Sequence, residues 1–116
     1  NAKVFGWVDA ATFISACDFI LSTSENEGMP VALIEAQLAG KPVIATNVGS
    51  TAEVVINNQT GIITNKNKQE LITAIKSLLN SPETLQNMGQ SAITNANATF
   101  APSTMINKHI DLFNSL

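Results

Sequence analysis

Two glutamates, Glu27 and Glu35, stand eight positions apart with the segment GMPVALI between them. Gly28 lets a backbone come close to a ligand, and Pro30 suits the first position of a helix, where its missing N–H is not needed. A helix beginning there presents the free amides of Val31 and Ala32, backed by the positive end of its dipole, to an anion such as a phosphate. That anion would repel Glu27, whose partner is then a neutral polar part of the ligand, such as sugar hydroxyls. The plainer alternative is a carboxylate that caps the helix and interacts with its dipole. Glu35 lies within PVALIEAQLA, where only Gln37 is also polar. A carboxylate on a helix packed into a core is costly unless donors meet it. Two adjacent ribose hydroxyls would be such donors; the backbone amides of a neighbouring loop are the plainer alternative.

Alternating strands and helices must position these residues. AKVFGW (2–7) reads as a strand, and the segment 9–17 as a helix capped by Asp9, with Ala10, Phe13, Ile14 and Cys17 on one face. DFILS (18–22) is a buried strand, and the helix 30–39 is ended by Gly40. KPVIAT (41–46) is another strand, NVGSTAEVV (47–55) a loop and short helix, and NNQTGIIT (57–64) a turn and fourth strand. Three helices follow. The first, 67–80, has a stripe of Leu71, Ile72, Ile75, Leu78 and Leu79; the second, 81–97, starts at Ser-Pro and buries Leu85, Met88, Ala92 and Ala96. The last, 101–116, is expected to pack Ile106, Ile110 and Phe113, with His109 on the same side. Short strands apolar throughout are buried on both faces, so the fold class is α/β: a Rossmann-like, three-layer parallel sheet with flanking helices. Ligands of such sheets bind at the carboxyl ends of the strands, here at Trp7-Val8-Asp9, at residues 23–29 and at residues 47–50.

The 116 residues, 45% hydrophobic with mean hydropathy +0.17, make one globular domain or part of one. Net charge is −3, arginine is absent and the six lysines are scattered, which argues against nucleic-acid binding. Cys17 is the single cysteine, so no internal disulfide forms; it reads as a small core residue in a reducing compartment. With no long apolar run and no basic-plus-apolar leader, the chain is expected to be soluble and cytoplasmic.

The stretch EGMPVALIEA, followed by GKPVIATNVG and then EVV and GII, resembles the C-terminal, nucleotide-sugar-binding domain of retaining glycosyltransferases of the GT-B fold. Among these it is most similar to the group 1 (family 4) type with its E-x7-E motif, and the resemblance runs from about Val4 to Thr64. It implies that Glu27 is catalytic, contacting the donor sugar near the reacting centre, and that Gly28, Met29, Pro30 and Val31 line the sugar and diphosphate. By the same resemblance Glu35 accepts hydrogen bonds from the ribose, and Trp7, Val8 and Asp9 hold the base through backbone groups. The implied reaction moves a sugar from a UDP or GDP donor to an acceptor hydroxyl with retention, in the synthesis of bacterial surface polysaccharide or glycolipid. The nucleotide sugar is a substrate; neither a cofactor nor a metal is expected.

Thr23, Met29 and Ser50 depart from the family's usual residues, which leaves the sugar open. The family neutralises the diphosphate with an Arg/Lys pair and supplies an N-terminal acceptor-binding domain. Both are expected to lie outside residues 1–116, together with any parts that bring the enzyme to the inner face of the membrane. The fragment alone is therefore expected to be inactive. Lys41, the only lysine placed near the loops, is read as solvated on the opposite edge of the sheet. Two alternatives stand beside the transferase: an epimerase of the same fold, which would need a base such as His109, and a non-catalytic nucleotide-binding module.

Overall fold

Apolar residues in β2 (Val43–Thr46) are all buried, which requires cover on both faces of the strand. In the computed structural model, which describes all residues from Asn1 to Leu116, β2 is the centre of a three-stranded sheet. It pairs in parallel with β1 (Ile20–Ser22) and with β3 (Gly61–Thr64), Ile44 lying opposite Leu21 on one side and Ile62 on the other. Side chains alternate across the pleat. Val43 and Ala45 enter a cluster with Ile14, Leu33, Ala36, Val54 and Val55, beneath α1 (Ala10–Ser15), α2 (Val31–Leu38) and α3 (Thr51–Val54). Ile44 enters a second cluster with Ala74, Leu78 and Met88, beneath α4 (Lys68–Leu79) and α5 (Pro82–Phe100). Complete burial of a residue like Ile44 contributes about 1.5–3 kcal/mol, so each face of this short sheet depends on its helices. The three layers read from the sequence are present.

Local signals set the helix ends. The Asp9 carboxylate accepts from the Thr12 amide at 2.8 Å and its hydroxyl at 2.7 Å, capping α1. Asn67 caps α4 by accepting from the amides of Gln69 and Glu70, and Ser81 with Pro82 opens α5. At the end of α2, Gly40 takes φ +70°; its amide donates to the Gln37 carbonyl and that of Lys41 to Ala36, both at 2.9 Å. This pair of hydrogen bonds is what lets the chain leave α2 and turn directly into β2. Gly89 brings α5 against the Gly40 carbonyl, where a Cβ would overlap it.

Several expectations need correction. Residues 2–7 form no strand: β1 pairs only with β2 and its other edge stays unpaired, and Val4 and Trp7 are 99% and 98% exposed. Cys17 is half-buried, not core; its thiol lies 3.2 Å from the Phe13 carbonyl and helps line an open apolar hollow with Phe5, Val8 and Phe13. Leu79 is exposed on α4, and Leu85 is only partly buried on α5. On α6 (Pro102–Ser115) no residue is buried: Ile106, Ile110 and Phe113 face solvent, as does His109. The neighbour of α6 within residues 1–116 is α5, and nothing in these residues buries the stripe. No helix is long and apolar enough to cross a membrane.

Candidate functional site

Parallel strands end on one side of the sheet, so the turns after β1, β2 and β3 meet there. The first, residues 23–29, carries Glu27 and has no regular structure of its own. Its shape is held by side chains. Ser24 Oγ donates to Glu27 Oε1 at 2.5 Å and lies 3.2 Å from Ser22 Oγ. Thr46 Oγ1, at the end of β2, donates to the Ser24 carbonyl at 2.6 Å, and Lys66 Nζ, after β3, donates to the Glu25 carbonyl at 2.9 Å. Gly49, at φ +50°, packs its Cα against the Glu27 backbone so closely that a Cβ would overlap the Glu27 carbonyl. Glu27 is thus half-buried, with its carboxylate fixed on one side and its backbone fixed on the other.

Pro30 occupies the cap position of α2 rather than its first turn, and the Val31 amide is not free: it donates to the Met29 carbonyl at 2.9 Å. The next amide with a partner is that of Leu33, bonded to the Pro30 carbonyl at 3.0 Å. Of the two amides expected to face an anion, only that of Ala32 has no acceptor within the chain. Gly28 is exposed, with nothing within 4 Å of where a Cβ would stand. Met29 and Val31 are exposed beside it, while Pro30 is buried.

Glu35 is not buried among apolar side chains. It is exposed on the side of α2 that faces α1, where it lines an open hollow of about 340 Å³ with Ala11, Ile14, Ser15, Leu38 and Ala39. The inward face of α2 is made by Leu33, Ala36 and Gln37. Val31, Ala32, Leu38 and Ala39 make the outward side apolar too, so residue type alone does not reveal which way Glu35 points. The polar group that is buried on α2 is Gln37, whose amide donates to the Val54 carbonyl at 3.0 Å and the Leu33 carbonyl at 3.3 Å, pinning α2 to α3.

Trp7 is solvent-exposed, and Val8 and Asp9 border the apolar hollow of about 650 Å³ on the other side of α1. The Asp9 carboxylate is committed to Thr12, whose backbone amide and then hydroxyl hold it below the ordinary carboxylate range. The structure therefore brings Glu27 and residues 28–31 together with Thr46, Gly49 and Lys66. Glu35 stands on the next helix surface, and residues 7–9 stand beyond α1. No three His, Cys, Asp or Glu side chains converge anywhere in the chain.

Lys66 is the support of the Glu27 loop least visible in the sequence. Lys41 was expected to be the lysine nearest these loops and solvated; it is half-buried at the far end of α2 and donates to the Ser15 carbonyl at 3.2 Å. Lys66 instead reaches the loop from a turn that is itself braced. Glu70 accepts from the Asn65 amide at 2.8 Å and from its side-chain amide at 3.2 Å, in that order lowering the Glu70 pKa. A carboxyl whose folded pKa is depressed supports the fold above its unfolded pKa and ceases to do so as pH falls through the folded one. The Asn65 amide resonance, followed on acidification, is accordingly expected to titrate with a midpoint below the ordinary glutamate range; a midpoint within that range would show the brace absent.

Comparison with known proteins gives the family and the fold. Residues 1–95 match the family model described as Glycosyl transferases group 1. The chain is 31% identical over 104 residues to the trehalose synthase of Pyrococcus horikoshii, covering 90% of this chain and 25% of that one. Among solved structures, Anabaena HepE in complex with UDP superposes with a TM-score of 0.81 at 27% identity, over 90% of this chain and 29% of HepE. The sucrose-phosphate synthase of Thermosynechococcus elongatus superposes with a TM-score of 0.85 at 26% identity, over 96% of this chain and 29% of the synthase. The chain thus spans between a quarter and a third of the length of these relatives, with a fold matching the Rossmann-like C-terminal domains of GT-B glycosyltransferases. The chain belongs to the group 1 glycosyl transferase family.

Proposed function

We propose that residues 1–116 are part of the C-terminal, nucleotide-sugar-binding domain of a retaining glycosyltransferase. The enzyme would transfer a hexose from UDP or GDP to an acceptor hydroxyl, in the synthesis of bacterial surface polysaccharide or glycolipid. The single observation that carries this reading is the Glu27 loop: a fixed carboxylate directly before an exposed glycine and a helix N-terminus with a free amide at Ala32. Family membership supports it, as does the likeness to HepE, a protein crystallised with UDP.

In this reading the dipole of α2 and the Ala32 amide stabilise charge on the departing diphosphate, a preorganised term that requires no rearrangement during reaction. Glu27 meets the sugar, and residues 28–31 border the sugar and diphosphate. Glu35, exposed and therefore free to accept, takes the ribose hydroxyls, while the backbone of Trp7-Val8-Asp9 meets the base. The nucleotide sugar is substrate, and no resident cofactor or metal is invoked. In this reading the acceptor domain, a basic pair for the diphosphate and any membrane-surface contact would come from outside residues 1–116, so the isolated fragment is expected not to transfer sugar. The location this reading carries is the cytoplasm, at the inner face of the membrane. The epimerase alternative gains no support, because His109 is exposed on α6 with Nδ1 2.8 Å from the Met105 carbonyl of its own helix.

Titration of the full-length protein with UDP, GDP and ADP, with inorganic phosphate as control, tests the reading. Saturable binding of one diphosphate and transfer from its sugar are expected; absence of both would defeat it. Glu35→Ala is expected to weaken nucleotide affinity roughly tenfold, the scale of losing hydrogen bonds to a charged acceptor. Unchanged affinity would make Glu35 an ordinary surface carboxylate.

A further inference from the structure

The loop that carries Glu27 has no ladder or helix to define it, yet a transferase needs that carboxylate held to within a fraction of an ångström. Three supports reach it from behind. Thr46 holds the Ser24 carbonyl and Gly49 abuts the Glu27 backbone, both from the adjacent strand and its turn. The third, Lys66, comes from one strand further away and donates to the Glu25 carbonyl. Since β2 lies between β1 and β3, this bond links the two outer strands' ends.

We propose that Lys66 is a positioning residue of the donor site, tying the Glu27 loop to the turn between β3 and α4. The base of this tether is hydrogen-bonded on both flanks. On one side of Lys66, Asn65 is bonded through backbone and side chain to Glu70; on the other, Asn67 caps α4, and the Asn67 amide donates to the Asn65 carbonyl at 2.7 Å. A long flexible side chain anchored on both flanks can hold a distant carbonyl with less loss of freedom than one rising from a mobile turn. The charge of the ammonium strengthens its bond to the carbonyl. Lys66 acts on the loop backbone, so its effect reaches the sugar only through Glu27, two residues further along.

This inference rests on the transferase reading, and its test keeps the two apart. In the full-length protein, Lys66→Met, Lys66→Arg and Lys68→Met are compared; Lys68 is exposed at the start of α4 and makes no side-chain bond, so it controls for net charge. Lys66→Met is expected to lower kcat about fivefold, the scale of one net hydrogen bond, with the dissociation constant for the nucleoside diphosphate held within about twofold. Cleavage after Glu25 and Glu27 by a glutamate-specific protease is expected to accelerate by a similar factor. Arginine should restore both properties, and Lys68→Met should change neither.

Unchanged cleavage of the loop in Lys66→Met would overturn the tether whatever the enzyme does. Weaker nucleotide binding at unchanged kcat would overturn it too, making Lys66 a diphosphate contact. A wild-type protein that neither binds nucleotides nor transfers sugar would instead defeat the transferase reading, and the protease comparison would still decide the tether.

Discussion

Glu27→Gln in the full-length protein is expected to lower kcat about a hundredfold, the lower end of what one positioned proton-transferring or charge-stabilising carboxylate contributes. Nucleotide affinity is expected to stay within about twofold, because the groups assigned to the ribose and diphosphate, residues 28–32 and Glu35, are untouched. Glutamine keeps the shape of the side chain and can still accept from Ser24 Oγ, so the loop should not rearrange. The comparison therefore isolates charge. Steady-state kinetics with the nucleotide sugar, beside a titration with the free diphosphate, gives both quantities. Equal kcat in the variant would reduce Glu27 to a carboxylate that leads into a helix and favours its dipole.

Gly49→Ala is expected to have an effect of similar size through geometry alone. Gly49 adopts φ +50°, a conformation L-residues with a Cβ rarely take, and its Cα lies against the Glu27 backbone. A methyl group there overlaps the Glu27 carbonyl, so the loop must move or the turn after β2 must open. Overpacking of this kind costs about 1–3 kcal/mol, and a displacement of ~1 Å at a reacting group can cost about a hundredfold in rate. Both a lower melting temperature and a large loss of kcat are expected. Gly28→Ala is the contrast: its Cβ would enter open space, so stability should not change. If Gly49→Ala melts and turns over like the wild type, the close approach of the two loops is not maintained in solution.

Much of the loop before α2 was legible because it is written in local chemistry. A carboxylate, a glycine and a proline leading into an apolar helix mark a loop and a helix N-terminus wherever they occur. Asp9, Ser81 with Pro82, and Gly40 act on backbone groups within four residues, so their roles follow from sequence distance alone. The sheet was legible for a related reason: β2 has no polar side for water, which forces cover on both faces. What misled was composition on α2. An apolar helix suggested a buried Glu35, but both sides of α2 are apolar, and the buried polar residue is Gln37.

By itself, then, the sequence determined the order of elements from residue 9 onward, the helix ends at Asp9, Gly40 and Ser81, the parallel three-layer arrangement and the loop that carries Glu27 and Gly28. Each of these depends on periodicity or on bonds that span a few residues. Only the tertiary structure decided that Lys66 reaches Glu25, that Gly49 abuts Glu27 and that Glu35 faces α1. It also decided that residues 2–7 form no strand and that no residue of α6 is buried. These facts depend on which segments the parallel crossovers bring side by side. Residues separated by tens of positions meet only when the sheet has formed.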